Sequence, residues 1–253
     1  MGVEFHYQFE DELEIVQIFF ISRLGAVLCM CVDFSIHLLK IPTKSSQIDI
    51  IKLYTNDFFV HEDDNGDGDH TTIITSLALN GKENLLFIGL KNGDIRLMDI
   101  DNFTLKEDII RLDEILKSIP EELKLKPGSV EVIEEQPGID GKILIGYNRS
   151  LIALWDYQNK CIDNYFQIEQ VICLQCHVIY VINQFIPIIQ HLEHLSWNQN
   201  GNDFISCHND GSYNIWSAKQ EHHDCKNFKL HYGPFPRKAI KKIFWNSSSC
   251  GYY

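Results

Sequence analysis

Hydrophobic and polar positions along this 253-residue chain alternate in short bursts, and the bursts recur. Four segments share one plan: Ile15–Ile41, Thr75–Ile100, Val130–Tyr157 and Leu192–Ser217. Each opens with apolar/polar alternation, as at Leu192, Leu195 and Trp197. In three of them a polar turn follows, marked by Asn80-Gly81, Asp140-Gly141 or Asn200-Gly201. A compact apolar run comes next: AVLCMC, LLFIGL, KILIGY or FISC. A second turn (Asp33-Phe34, Asn92-Gly93, Arg149-Ser150 or Asp210-Gly211) leads into a closing strand that ends at Leu39, Met98, Trp155 or Trp216. A period of two sends successive side chains to opposite faces, so one face of each strand belongs to a core. Asn-Gly and Asp-Gly favour tight hairpins, whose corner residues take positive φ. Each unit therefore predicts an antiparallel meander.

The closing residues recur at intervals of 57 to 61 positions. A lean WD repeat has ~40–45 residues, so the excess is assigned to loops. Trp155-Asp156 is the WD dipeptide, and Trp216-Ser217, Met98-Asp99 and Leu39-Lys40 are degenerate versions of it. The expectation is all-β, a WD-repeat β-propeller with about four blades over 1–253. Residues 238–253 read as the start of a further blade, which makes the propeller incomplete. Trp155, Asp156, Trp197, Asp210, Gly211 and Trp216 read as structural blade residues.

Charge narrows the partners. The chain has 35 Asp and Glu against 22 Lys and Arg, net −13. That balance opposes broad phosphate-backbone contact, so no nucleic acid is expected. The start, MGVEFHYQFEDELEIVQIFF, has no basic region ahead of its apolar run and does not read as a signal peptide. The eight cysteines then read as reduced cytosolic thiols.

Candidate chemistry is sparse. No G-x-S-x-G, Walker or G-x-G-x-x-G motif occurs, and no catalytic, cofactor-binding or metal-binding residue is assigned. Asp63, Asn65, Asp67 and Gly68 imitate an EF-hand, but its twelfth position is Ile74 where a bidentate Glu is needed. Cys173, Cys176 and His177 match a haem-attachment string whose chemistry requires export. Cys173, Cys176, His191 and His194 are spaced wrongly for a zinc finger. The acidic stretch Lys106–Leu125 reads as helical and as a cap on the propeller edge. The candidate partner-binding residues are Tyr232, Pro234, Phe235 and Pro236, a Pro-aromatic loop, with Arg237 and Lys238 from the one basic cluster. Lys241 and Lys242 complete that cluster. Aromatic side chains on loops are common contact anchors.

Several of these stretches carry a resemblance. Tyr232–Ile243 (YGPFPRKAIKKI), Ser206–Trp216 (SCHNDGSYNIW) and Lys142–Trp155 (KILIGYNRSLIALW) are similar to segments of the lethal giant larvae family of WD-repeat polarity proteins. Gly2–Phe5, Val16–Ile41 and Asp113–Val130 resemble it more loosely. The resemblance implies an N-terminal part of the first of two fused propellers. It implies a non-enzymatic scaffold acting in cell polarity, cortical cytoskeleton organisation and regulated exocytosis. The implied partners are non-muscle myosin II, atypical protein kinase C with the Par complex, and syntaxin-type SNAREs. The implied location is the cytoplasm, with the cell cortex or plasma-membrane periphery. The alternative is a tomosyn-like SNARE regulator of vesicle secretion, from the related syntaxin-binding branch. A SNARE-type C-terminal heptad helix would separate the two, and this sequence does not reach one.

Residues 168–190 break the resemblance. Relatives run almost directly across this point, whereas this chain inserts an apolar stretch. Its length approaches the ~20 residues that span a bilayer. Gln175, His177, Asn183, Gln184 and Pro187 interrupt it, so no integral membrane span is expected. It reads as a strand pair, an apolar surface loop or retained intron sequence.

Overall fold

A computed structural model describes residues 13–40, 49–53, 73–120, 127–149, 151–167, 191–219, 225–229 and 240–245. The insert at 168–190, the EF-hand-like loop and the stretch 230–239 lie outside them.

The described residues form four antiparallel sheets of four strands, each in chain order. Blade 1 contains β1 (Ile15–Ile21), β2 (Ala26–Cys31), β3 (Ile36–Lys40) and β4 (Asp49–Leu53). Blade 2 contains β5 (Ile74–Leu79), β6 (Leu85–Leu90), β7 (Ile95–Asp99) and β8 (Thr104–Ile110). Blade 3 contains β9 (Val130–Glu135), β10 (Lys142–Tyr147), β11 (Leu151–Asp156) and β12 (Cys161–Gln167). Blade 4 contains β13 (Leu192–Trp197), β14 (Asp203–His208), β15 (Ser212–Ser217) and β16 (Cys225–Lys229). A four-stranded meander is the blade unit of a WD-repeat β-propeller. By contacts the chain divides into two compact units. One holds Met1–Ile74, Leu79–Ile88 and Arg96–Asp108; the other holds Thr75–Ala78, Gly89–Ile95 and Ile109–Tyr253.

The second strand of each blade carries its core. β6 is buried throughout, and β10 and β14 are buried at every position after the first. The fourth strands were not visible in the alternation. β8 and β12 bury mainly their C-terminal ends and leave the rest largely to solvent, so their polarity shows no clean period. The acidic stretch Lys106–Leu125 is accordingly not one helix. Its first residues belong to β8, and among its described residues only α1 (Leu112–Lys117) is helical. Asp94 accepts the Leu112 N–H at 2.9 Å, which caps that short helix from outside.

The turns explain the second set of sequence signals. Asp33 Oδ1 accepts from the Ser35 N–H and hydroxyl, and Asp210 Oδ1 does the same for Ser212. Asn92 Oδ1 accepts from the Asp94 N–H. These Asx turns place the middle residue at positive φ: Phe34 at 63°, Gly93 at 95° and Gly211 at 78°. The first set is mixed, since Gly141 and Gly201 also take positive φ, at 93° and 66°. Asn80-Gly81 is not a hairpin corner, because Glu83 is the residue at positive φ, 56°. Asn80 Oδ1 accepts the Asn84 and Leu85 N–H groups, each at 2.9 Å, and organises a longer loop. In blade 4 the same loop starts at Asn198, and Gly201 takes the left-handed position at 66°.

Candidate interaction surface

Blade 4 has two covered faces, and their residues follow from strand alternation. One face meets blade 3. There Leu192, Leu195, Trp197, Phe204 and Trp216 share a buried cluster with Leu144, Ile152, Leu154 and Phe166. Phe204 is the hub of the aromatic contacts. Its ring lies 4.9 Å from Phe166, 5.3 Å from Trp197 and 6.1 Å from Trp216. Gln136 Nε2 donates to Gly201 O at 2.6 Å, and Asn164 Nδ2 to Ala218 O at 3.1 Å. These bonds tie the two blades at the cluster's margin.

A polar network lies within blade 4. The Trp216 indole N–H donates to Ser206 Oγ at 2.8 Å. Ser206 Oγ lies 3.1 Å from His208 Nε2, and Asn214 Nδ2 lies 3.2 Å from the same nitrogen. A neutral imidazole whose Nε2 accepts is compatible with both contacts, Ser206 Oγ and Asn214 Nδ2 then sharing the one nitrogen as donors. Burial, opposed by Asp210, pushes the His208 pKa down to about 4. Sequence reading passed over this network. Its signal was Ser206 and His208 at alternate positions of an otherwise apolar strand, with Asn214 paired opposite Ser206.

Trp155 and Trp216 are buried. Asp156 Oδ1 accepts the Asn159 and Gln158 N–H groups, and those bonds hold its carboxyl below the usual range, the Asn159 backbone bond first. Asp210 and Gly211 build the turn before β15.

The other face of blade 4 is covered by the segment 240–245. Ile243 joins Ile205, Cys207 and Tyr213, with Ile240, Ile215 and Trp245 packed around them. The Ile240 N–H donates to His208 O at 3.2 Å, Cys207 Sγ to Ile240 O at 3.1 Å, and Trp245 Nε1 to Ser196 O at 3.0 Å. Phe244 points outward, with its ring 5.3 Å from that of His194. Burial and then Lys242 lower the His194 pKa. Lys241 pairs with Glu193 at 2.6 Å, and Lys242 is exposed. This segment carries no strand assignment. The anchors Tyr232, Pro234, Phe235, Pro236, Arg237 and Lys238 lie outside the described residues, just before it in the chain.

Two buried thiols, Cys29 and Cys207, offer little reactivity. Burial and then Cys31 push the Cys29 pKa up to about 11, and burial and then Glu193 push Cys207 up to about 12. Among the described residues no group of three or more His, Cys, Asp or Glu could hold a metal ion. His191 is engaged with Asn148, its Nδ1 lying 2.7 Å from Asn148 Oδ1. No described helix is long and apolar enough to cross a membrane.

Comparison with known proteins decides the family. The chain is 28% identical over 255 residues, 99% of its length, to LLGL scribble cell polarity complex component 2 of Mus musculus. It is 27% identical over 265 residues to Lethal(2) giant larvae protein homolog 1 of Homo sapiens, again covering 99% of the chain. The chain belongs to the lethal giant larvae family. The Drosophila melanogaster Lethal(2) giant larvae protein matches at 30% over 171 residues, 68% of this chain and 13% of that protein. The chain spans 23% of the Mus musculus relative and 22% of the Homo sapiens one. No protein-family model matches the chain. Among solved structures, a chain of the Mitotic Checkpoint Complex aligns with a TM-score of 0.55 at 14% identity, over 98% of this chain and 63% of that one. A β-propeller domain from Myceliophteria thermophila aligns with a TM-score of 0.55 at 11% identity, over 87% and 59%. These two agree with the propeller fold of this lethal giant larvae chain.

Proposed function

We propose that this chain serves as a non-enzymatic, protein-binding scaffold in cell polarity, cortical cytoskeleton organisation and regulated exocytosis. The observation that carries the reading is the match to lethal giant larvae relatives over 99% of the chain. One of those relatives is named as a polarity complex component. The partners are non-muscle myosin II, atypical protein kinase C with the Par complex, and syntaxin-type SNAREs. The working location is the cytoplasm and the cell cortex. Tyr232, Pro234, Phe235 and Pro236 are the contact anchors, with Arg237 and Lys238 beside them. Their place in the chain supports this, because they precede a segment that presents Phe244, Lys241 and Lys242 to solvent.

The test is direct binding with purified components. The natural polypeptide is immobilised and offered the myosin II tail, the kinase–Par complex and a syntaxin cytoplasmic domain in turn. Saturable binding to at least one, weakened tenfold or more by Tyr232→Ala with Phe235→Ala, is the expected result. Absence of binding to all three overturns the proposal.

A further inference from the structure

The seam between blades 3 and 4 holds two polar groups among its apolar side chains. One is the Trp197 indole N–H. Trp197 is 7% exposed, and its Nε1 has no hydrogen-bond partner among the described residues. The other is the carboxyl of Glu134, the fifth residue of β9.

Register and alternation bring the two to one place. Glu134 pairs with Leu144 of β10, and Leu144 belongs to the cluster that meets blade 4. Alternation puts Val132 and Gln136 on the same face as Glu134, one to either side of it. Val132 packs against that cluster, and a Cβ on Gly146 would meet both Val132 Cγ1, at 2.8 Å, and Leu195 Cδ1, at 2.9 Å. Gln136 donates to Gly201 O. One neighbour of Glu134 therefore marks Leu195 and the other marks Gly201. Trp197 lies between those two in the chain and shares the face of Leu195. Trp155 also has an unpaired indole N–H, but it pairs with Ile143, on the face of Glu135.

Among the described residues, the charges around Glu134 are committed elsewhere. Glu135 takes the opposite face of β9 and accepts from the Tyr157 hydroxyl at 3.2 Å. Lys142 shares the face of Leu144, but its Nζ is held by Asp163 at 2.8 Å. In β13, Glu193 pairs with Lys241 and His194 lies edge-on to Phe244, so both point to the segment 240–245. Asp203 precedes Phe204 and takes the face away from the seam. Residues 198–202 carry no charge. Burial is what governs Glu134, and it pushes the pKa up to about 7.

We propose that Glu134 and Trp197 form a proton-operated joint between blades 3 and 4: the protonated carboxyl rests in the apolar seam, and loss of its proton makes a carboxylate that takes the Trp197 indole N–H. The chemistry follows from the partners. An indole nitrogen only donates, so a charged acceptor gives it the strongest bond. A carboxylate among apolar side chains needs a donor, and on that face Trp197 offers an unpaired one. The bond pulls on a ring that lies 5.3 Å from Phe204, the hub of the cluster joining the two blades. Protonation near neutrality thus sets how blade 4 is held on blade 3.

The indole N–H resonances of the isotope-labelled protein test the proposal. Trp155, Trp197, Trp216 and Trp245 give four signals, and Trp197→Phe identifies one by its loss. The Trp197 proton should move downfield as pH rises, with its midpoint at about 7. The Trp216 signal, already bonded to Ser206, should not follow it. Glu134→Gln should keep all four signals dispersed and abolish the titration. As a second readout, the Glu134 carboxyl carbon should titrate about half a unit higher in Trp197→Phe, where the carboxylate has lost its donor. Four indole signals that all stay flat through neutral pH overturn the proposal, whether or not the variants fold. So does a titration that survives Glu134→Gln, or a Glu134 midpoint unmoved by Trp197→Phe.

Discussion

Blades 3 and 4 place a tryptophan at the same register position and surround it with different chemistry. Trp155 pairs with Ile143 and Trp216 with Phe204. In blade 4, Ser206 takes the indole N–H, and His208 and Asn214 extend the bond chain. In blade 3 those three places hold Ile145, Tyr147 and Ala153, and Trp155 Nε1 has no hydrogen-bond partner among the described residues. Both rings are buried all the same. The comparison separates two requirements. The wedge demands a large ring, which both blades supply. The polar bond is an addition that fixes the ring's orientation in blade 4, and a buried N–H without it costs ~1–3 kcal/mol.

The largest expected effect comes from removing a wedge. Trp216→Ala should cost about 3–5 kcal/mol of unfolding free energy in urea. A loss under about 1 kcal/mol would break the claim that the aromatic cluster on Phe204 holds the two blades together.

Acid separates the blades next. His208, neutral in the fold with a pKa of about 4, ordinarily titrates near 6.5. Its contribution is present above 6.5 and is lost as pH falls toward 4, because the unfolded chain then binds the extra proton. Glu134 in blade 3 runs the other way. It shares the sheet face of Val132 and Leu144, and burial pushes its pKa from 4.5 up to about 7. Its contribution is present below 4.5 and is lost as pH rises to 7, because the fold then holds the proton that the unfolded chain releases. Each shift corresponds to about 3 kcal/mol. Glu134→Gln should therefore raise stability at neutral pH, and His208→Gln should flatten the loss on acidification. Unfolding midpoints across pH 4–7 check both, and parallel profiles for the two variants would contradict the assignment.

The smallest effect sharpens the comparison most. Phenylalanine keeps much of the wedge and deletes the N–H. Trp216→Phe should cost about 1 kcal/mol more than Trp155→Phe, because only the former breaks a made bond and leaves Ser206 without its donor. Equal costs would mean that the Ser206 bond contributes nothing net.

Much of the architecture was legible because it depends on local rules. Alternation marked three strands per blade, and Asp210-Gly211 and Asn92-Gly93 marked turns that do take positive φ. The fourth strands escaped, because β8 and β12 face mostly solvent and show no period. Asn80-Gly81 misled, because the loop's geometry is set by what the Asn80 carbonyl oxygen accepts, a contact invisible to dipeptide rules. The Lys106–Leu125 stretch misled for a related reason, since strand pairing outweighed an acidic, helix-like composition. The Ser206–His208–Asn214 network was read only as part of a family resemblance. Its chemistry requires knowing which strand faces which, and that is a tertiary fact.

The central proposal is that these lethal giant larvae blades belong to a scaffold working through protein partners. The most direct measurement is affinity capture of the natural polypeptide from polarised cells, with immunoblots for myosin II heavy chain, atypical protein kinase C and syntaxin. Recovery of at least one is expected, lost when Tyr232 and Phe235 are both changed to Ala. Recovery of none, from cells in which all three partners are abundant, would contradict it.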